Sequence, residues 1–398
     1  MNLSILKEAH TEWASRPLDQ TYETLEELRT ATHNQRLRSR ESKPVPFAKL
    51  RVEADGPRLF LQGSRKGALT HFAFGQLAAH AGAPAHYLRA LPASLAMQNL
   101  NHGLKHRSET ASSNALMLLE EPPSRDDALT IRAVTTEVYS RIWNDDCTAG
   151  LVRLGERGWR VPPALPGPRR DPRTRPATEA DLLPNQGQYG IQIQVGDLIA
   201  PAGLYASAHD MFAFLVHPER VISAGRRALM RGFFMRNSEV GDGALWITVF
   251  LFDGVCGNHY CYGVDAVQEL RVRHTSAKAL AEALATWSMR LGVYERNAST
   301  EERAIRAAQA KELGKDKATT VAELYGLSKR KNLSTLTKVR LERAYDVAAR
   351  HEDRDGPPTT LWGMIAGLTQ VSQESGHTDQ RTLIDAQTGR LMGLIIDV

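Results

Sequence analysis

Strand-like alternation of apolar residues recurs along the middle of this chain, at Gln188 to Val195, Met211 to Val216, Leu229 to Met235 and Ala244 to Phe252. Successive side chains of a strand point to opposite faces, so runs of this kind need a sheet with at least one buried face. The connection Asn237-Ser238-Glu239-Val240-Gly241-Asp242-Gly243 has the Asn, Asp and Gly residues that tight hairpin turns favour. Whatever else the chain does, it must be built around a β-rich centre.

Other patterns flank that centre. Residues 1–35 read as a helical lead-in, with Tyr22, Leu25 and Leu28 at helical spacing. Phe47 to Val52 and Arg58 to Gln62 alternate like strands joined at Asp55-Gly56-Pro57. Thr70 to Leu104 is helical with a break at Gly82-Ala83-Pro84, and Leu116 to Leu119 and Leu129 to Val134 add strands. Seven prolines between Val161 and Pro184 suit a surface loop or linker. After His274 the pattern turns helical, at Ala277 to Leu291, Glu301 to Leu313, Thr337 to Arg350 and Leu361 to Glu374. These runs predict an α+β fold with a β-rich central core, flanking helices and a helical C-terminal portion. The expected division is a core over 1–297, with a Pro/Arg-rich loop at 161–184, and a helical region over 298–398 packing on it.

Composition narrows the class. With 42% hydrophobic and 24% charged residues the chain reads as globular, and its net charge of +5 permits a polyanionic partner. Three cysteines, Cys147, Cys256 and Cys261, argue against a disulfide scaffold. The N-terminus lacks the apolar core of a signal peptide. The most apolar run, Ala244 to Val255, is broken by Asp253 and too short to span a bilayer. A cytoplasmic protein with no membrane partner is expected.

Three constellations carry candidate chemistry. Cys256, His259, Cys261 and His274 are all zinc-ligand types, although their spacing is not that of a standard site; the alternative is buried cysteines and locally bonded histidines. The same residues would allow a thiol nucleophile with a histidine base, but no orienting acid is evident. The third is the arginine series Arg220, Arg226, Arg227, Arg231 and Arg236, extended by Arg271 and Arg273 if their strand lies nearby. Phe233, Phe234 and Trp246 are interleaved with it. Guanidinium forks hold phosphates and aromatic faces stack unpaired bases, so the combination fits a single-stranded nucleic-acid groove. The alternative is a solvated basic face over core aromatics. Basic residues at 36–66 and 169–175 add to the nucleic-acid reading. Asn237 and His274 would make polar contacts or stabilise the turn, and Glu239 with Asp242 forms a weak magnesium candidate.

Five segments resemble the phage- and plasmid-like family of domain of unknown function nine-three-two. They are Phe74-Gly75-Gln76-Leu77-Ala78 through Leu88 to Asn101; Ile131-Arg132-Ala133-Val134 with Tyr139; Arg231-Gly232-Phe233 with Asn237 to Gly241; Cys256-Gly257-Asn258-His259 with Arg273-His274; and Leu361 to Thr369. The resemblance implies a mobile-element context and brings no assigned activity.

The expectation is a phage- or plasmid-associated nucleic-acid-binding protein acting on single-stranded DNA in annealing, recombination or replication, without a cofactor and able to self-associate. Arg226, Arg227, Arg231, Arg236, Arg271 and Arg273 would hold phosphates, and reversing Arg227 and Arg231 to Glu is expected to abolish binding while sparing the fold. The alternatives are a zinc- or thiol-dependent enzyme built on the Cys/His set, and a host-interaction protein without nucleic-acid affinity.

Overall fold

A computed structural model describes residues 17–391, except 64, 108–113, 123–127, 164–170, 183–192, 202, 225–226, 254–257, 261–268, 275–284, 288, 290, 293–297, 374–383 and 385–386. The fold is α+β, with a helical C-terminal portion.

The chain enters through helix α1 (Leu25–Arg38), which the Thr24 side chain caps by accepting from the Glu27 amide at 3.1 Å. The first sheet follows. It contains β1 (Ser39–Glu41), β2 (Val45–Pro46), β3 (Arg51–Asp55), β4 (Arg58–Gln62), β5 (Lys66–Leu69), β6 (Asn114–Glu120) and β7 (Thr130–Thr136). Their order is β1-β6-β7-β5-β4-β3, with β2 also on β6; all pairs are antiparallel except β5 with β7. Between β5 and β6 run α2 (His71–Ala81), α3 (Ala85–Ala90) and α4 (Ala93–Arg107). Leu77 and Leu100 bring α2 and α4 onto Leu61, Met117 and Ile131, forming one core on one face of the sheet. The other face is buried too, which explains why Leu116-Met117-Leu118-Leu119 is apolar throughout instead of alternating.

After α5 (Asn144–Gly155) and the small pair β8 (Arg175–Pro176) and β9 (Leu198–Ile199), the second sheet forms. Its order is β10 (Leu204–Ala206), β11 (Met211–Ala224), β12 (Arg227–Asn237), β13 (Leu245–Asp253) and β14 (Asn258–Tyr260), with β15 (Glu269–Val272) also paired to β13. Strand β11 runs well past the alternation that ends at Val216. Its register with β12 shifts between His217 and Val221, a bulge that takes up Pro218, which cannot donate to a ladder.

The C-terminal helices are α6 (Ala298–Ala310), α7 (Lys317–Arg330), α8 (Lys338–Arg350), the short α9 (Glu352–Asp355) and α10 (Leu361–Gln373). They bury Leu324, Leu341, Ile365 and Trp362 together with Ile222, Leu229 and Leu251 from the far end of the second sheet. The helical portion and the long hairpin thus share one core. No helix among the described residues is long and apolar enough to cross a membrane.

Candidate functional site

The arginine and aromatic series divides between interior and surface. Arg231 is 1% exposed and faces His217 and Leu251 on the neighbouring strands. It is part of the interior, so the expected phosphate contact at this position is corrected. Phe233 packs edge-on against Trp159 at 4.8 Å and Trp287 at 5.1 Å, fully buried. Phe234 stacks on Phe212 at 5.8 Å, and Phe212 on Tyr205 at 5.6 Å. These rings sit on a strand paired on both sides, and burial withholds them from any base. Asn237 is also buried: its amide nitrogen donates to the Ile142 carbonyl at 2.9 Å and to Asn144 Oδ1 at 2.8 Å. Arg226 lies outside the described residues. Arg227 opens β12 opposite Ala224, and its side chain, like that of Arg220, lies outside them as well.

One cross-strand row reaches the surface at its outer end. Tyr205, Phe212, Arg236, Trp246 and Arg271 form one cross-strand row through β10, β11, β12, β13 and β15. Arg236 is held by Asp242 at 3.4 Å and lies 3.9 Å from Asp210. Trp246 is buried beneath the Arg271 guanidinium, 4.7 Å from the ring centroid. Arg271, on the outer strand, and Arg273, just past its end, are both exposed, and neither forms an ion pair among the described residues.

The other basic segments are partly neutralised. Arg38 pairs with Glu120, Arg40 and Arg65 with Glu121, and Lys66 with Glu53. Arg175 grips Asp181 with two bonds of 2.7 Å, holding that carboxyl well below the usual range. Arg173 is tied to Asp171 and the Thr21 carbonyl. Arg169 and Arg170 lie outside the described residues.

The turn at 237–243 proves to be an internal joint. Glu239, 1% exposed, accepts from the Asn144 amide at 2.7 Å and lies 3.0 Å from Arg132 Nη2. It thereby takes up the first amide of α5, where Trp143 offers the helix no side-chain cap. Arg132 also donates to the Ala208 carbonyl and Ser39 Oγ, and Arg141 donates to the Glu239 carbonyl and to Glu41 Oε1. Gln76 on α2 donates to the Val240 carbonyl at 2.6 Å while accepting from the Val134 amide at 2.8 Å. Gly241, at φ +90°, holds a backbone conformation that selects glycine. With its carboxylate engaged by Arg132 and α5, Glu239 is a poor cation ligand.

His274 completes the joint. Its Nδ1 lies 2.7 Å from the Tyr139 hydroxyl, which donates to the Ser238 carbonyl at 3.1 Å, and the two rings stack at 5.0 Å. Burial, with the Arg141 charge adding to it, pushes the imidazole down to about 4, so it is neutral near pH 7. Of the expected zinc or thiol set, Cys256 and Cys261 lie outside the described residues, and His259 is described only in its backbone, opposite Phe252. Cys147 is a core side chain of α5. Groups of three or more His, Cys, Asp or Glu able to hold a metal do not occur among the described residues.

Residues 191–391 match the family described as Domain of unknown function (DUF932). The chain belongs to this family. The DUF932 match spans the second sheet and the helical portion, including the Asn237–Gly241 turn, the Cys256 block and Leu361–Thr369. The segments at 74–101 and 131–139 precede it, yet they supply Gln76, Arg132 and Tyr139, which hold the DUF932 turn. No curated protein and no solved structure matches the chain.

Sequence reasoning missed Arg132, Arg141 and Gln76 as members of this joint. The one available signal was a charge at a strand-interior position, Arg132 within Ile131-Arg132-Ala133-Val134.

Proposed function

We propose that this protein binds single-stranded nucleic acid, single-stranded DNA in the first instance, in a phage or plasmid setting. The observation that carries the reading is the Arg271 guanidinium lying over Trp246, with Arg273 two residues on and no carboxylate paired to either among the described residues. An exposed guanidinium lying over an indole can stack with an unpaired base, and its neighbour offers a fork for the adjoining phosphate. Elsewhere on the described surface many arginines are already bound to carboxylates, so the net charge of +5 is not spread evenly. Self-association and a cytoplasmic setting belong to the same proposal. The family resemblance supports the mobile-element context.

The test is fluorescence anisotropy with labelled single-stranded and duplex oligonucleotides across a salt series, comparing the wild type with the double variant Arg271→Glu, Arg273→Glu. Single-strand binding that weakens steeply with salt, and by about tenfold or more in the variant, supports the reading. No binding at low salt, or an unchanged affinity in the folded variant, overturns it.

A further inference from the structure

A cleft of about 660 Å³ opens between the end of the β4–β5 hairpin, the first turn of α2, helix α3 and the start of α4. Its floor is apolar, with Phe74, Leu88 and Ala96 all buried. Its rim carries Arg58, His71 and Arg89, all exposed, and no carboxylate lines it. Arg58 and Arg89 form no ion pair among the described residues, unlike Arg65 and Lys66 on the same hairpin, which reach Glu121 and Glu53.

Arg89 is also held in place. Its Nη2 donates to the His71 carbonyl at 2.9 Å, and its guanidinium lies 5.2 Å from the Phe74 ring centroid. One bond to a carbonyl leaves most of the five guanidinium N–H donors for another acceptor. The first residues of α2 and α4, His71 and Ala93, both line the cleft, so the positive ends of two helix dipoles add to the rim charge. Positive charge gathered over an apolar floor, with no acid to balance it, is the complement of an amphipathic organic anion. The volume falls within the roughly 300–1,000 Å³ of small-molecule pockets.

We infer that this cleft binds a nucleotide unit, the base against the half-buried Leu59, Leu69 and Leu91 and the phosphate between Arg58 and Arg89. The choice of a nucleotide over other amphipathic anions rests on the reading under Proposed function. A flat base suits a cleft walled by apolar side chains. A base paired within a duplex cannot enter such a cleft, so a site of this kind favours single strands.

Adenosine monophosphate, octanoate and a single-stranded oligonucleotide carrying 2-aminopurine are titrated separately into the full-length protein. The first two are followed by calorimetry and the third by fluorescence. Each titration is repeated with Arg58→Glu, an exposed site without a side-chain partner, and with Ala93→Trp, which fills the entrance; circular dichroism checks that both fold. The expected result is that the monophosphate binds the wild type, is weakened about tenfold or more by Arg58→Glu, and is excluded by Ala93→Trp. The 2-aminopurine signal should be lost in the same two variants. Monophosphate that fails to bind at millimolar concentration, that binds Ala93→Trp as well as wild type, or that octanoate matches in affinity overturns the assignment. Monophosphate binding without oligonucleotide binding keeps the cleft and removes the strand-binding reading. Oligonucleotide binding lost only in Arg271→Glu, Arg273→Glu keeps that reading and removes the cleft.

Discussion

Arg132 on strand β7 and Glu239 in the β12–β13 turn form a 3.0 Å ion pair that joins the two sheets, with both side chains almost completely buried. Arg132 also reaches Glu120 at 3.3 Å, and Arg141 reaches Glu41 at 3.0 Å, so the two buried cations are matched by carboxylates. Buried ion pairs of this kind contribute little net stability when intact, because desolvation offsets the attraction, but they are costly to break.

Glu239→Ala is therefore expected to destabilise the protein by about 3–5 kcal/mol, since it leaves Arg132 without this partner and removes the acceptor at the start of α5. Urea unfolding of the variant measures this. A midpoint within error of wild type would show that the joint relaxes around the loss.

Acid should act on the same joint through His274. Its folded value of about 4 lies below the ordinary 6.5, so between those limits the unfolded chain binds the proton more readily. The stabilising contribution is complete above about pH 6.5 and falls as pH drops toward 4, by at most about 1.4 kcal/mol per pH unit. Unfolding midpoints from pH 7.5 to pH 4.5 should show a slope that His274→Asn flattens. A parallel slope in the variant would place the acid sensitivity elsewhere.

Arg231→Glu should unfold the protein, because it reverses a buried charge between His217 and Leu251. The sequence-based expectation was a folded protein deficient only in binding. Far-ultraviolet circular dichroism and solubility distinguish the outcomes.

In the C-terminal portion, α10 crosses α8 so closely that a Cβ on Gly367 would lie 2.2 Å from the Ala344 carbonyl oxygen. Gly367→Ala should cost about 1–3 kcal/mol by forcing the helices apart, despite the better helix propensity of alanine. A melting temperature at or above wild type would show that the pair can separate freely.

Period-two alternation made β12 and β13 legible in the sequence, and helical spacing did the same for α6, α8 and α10. Helix α7 was not among the helices that spacing predicted. Its start was nevertheless marked by Asp316, whose side chain accepts from the Thr319 amide at 2.9 Å. Within the candidate site, strand patterning placed Arg271 and Arg273 on one face. It could not tell Arg271, exposed, from Arg231, buried, because local sequence reports which face a residue takes and not what lies over that face. The turn at 237–243 was legible as a turn; its partners at 76, 132 and 141 come from distant segments, and no local pattern connects them.

The internal joint also sets an order of events during synthesis. The ribosome releases Arg141 98 residues before Glu239, and Arg132 earlier still. Until the later turn emerges, Arg132 and Arg141 have Glu120 and Glu41 as partners but not the carboxylate and carbonyl of Glu239. The N-terminal half is thus made early but finished late, when the turn near residue 240 arrives.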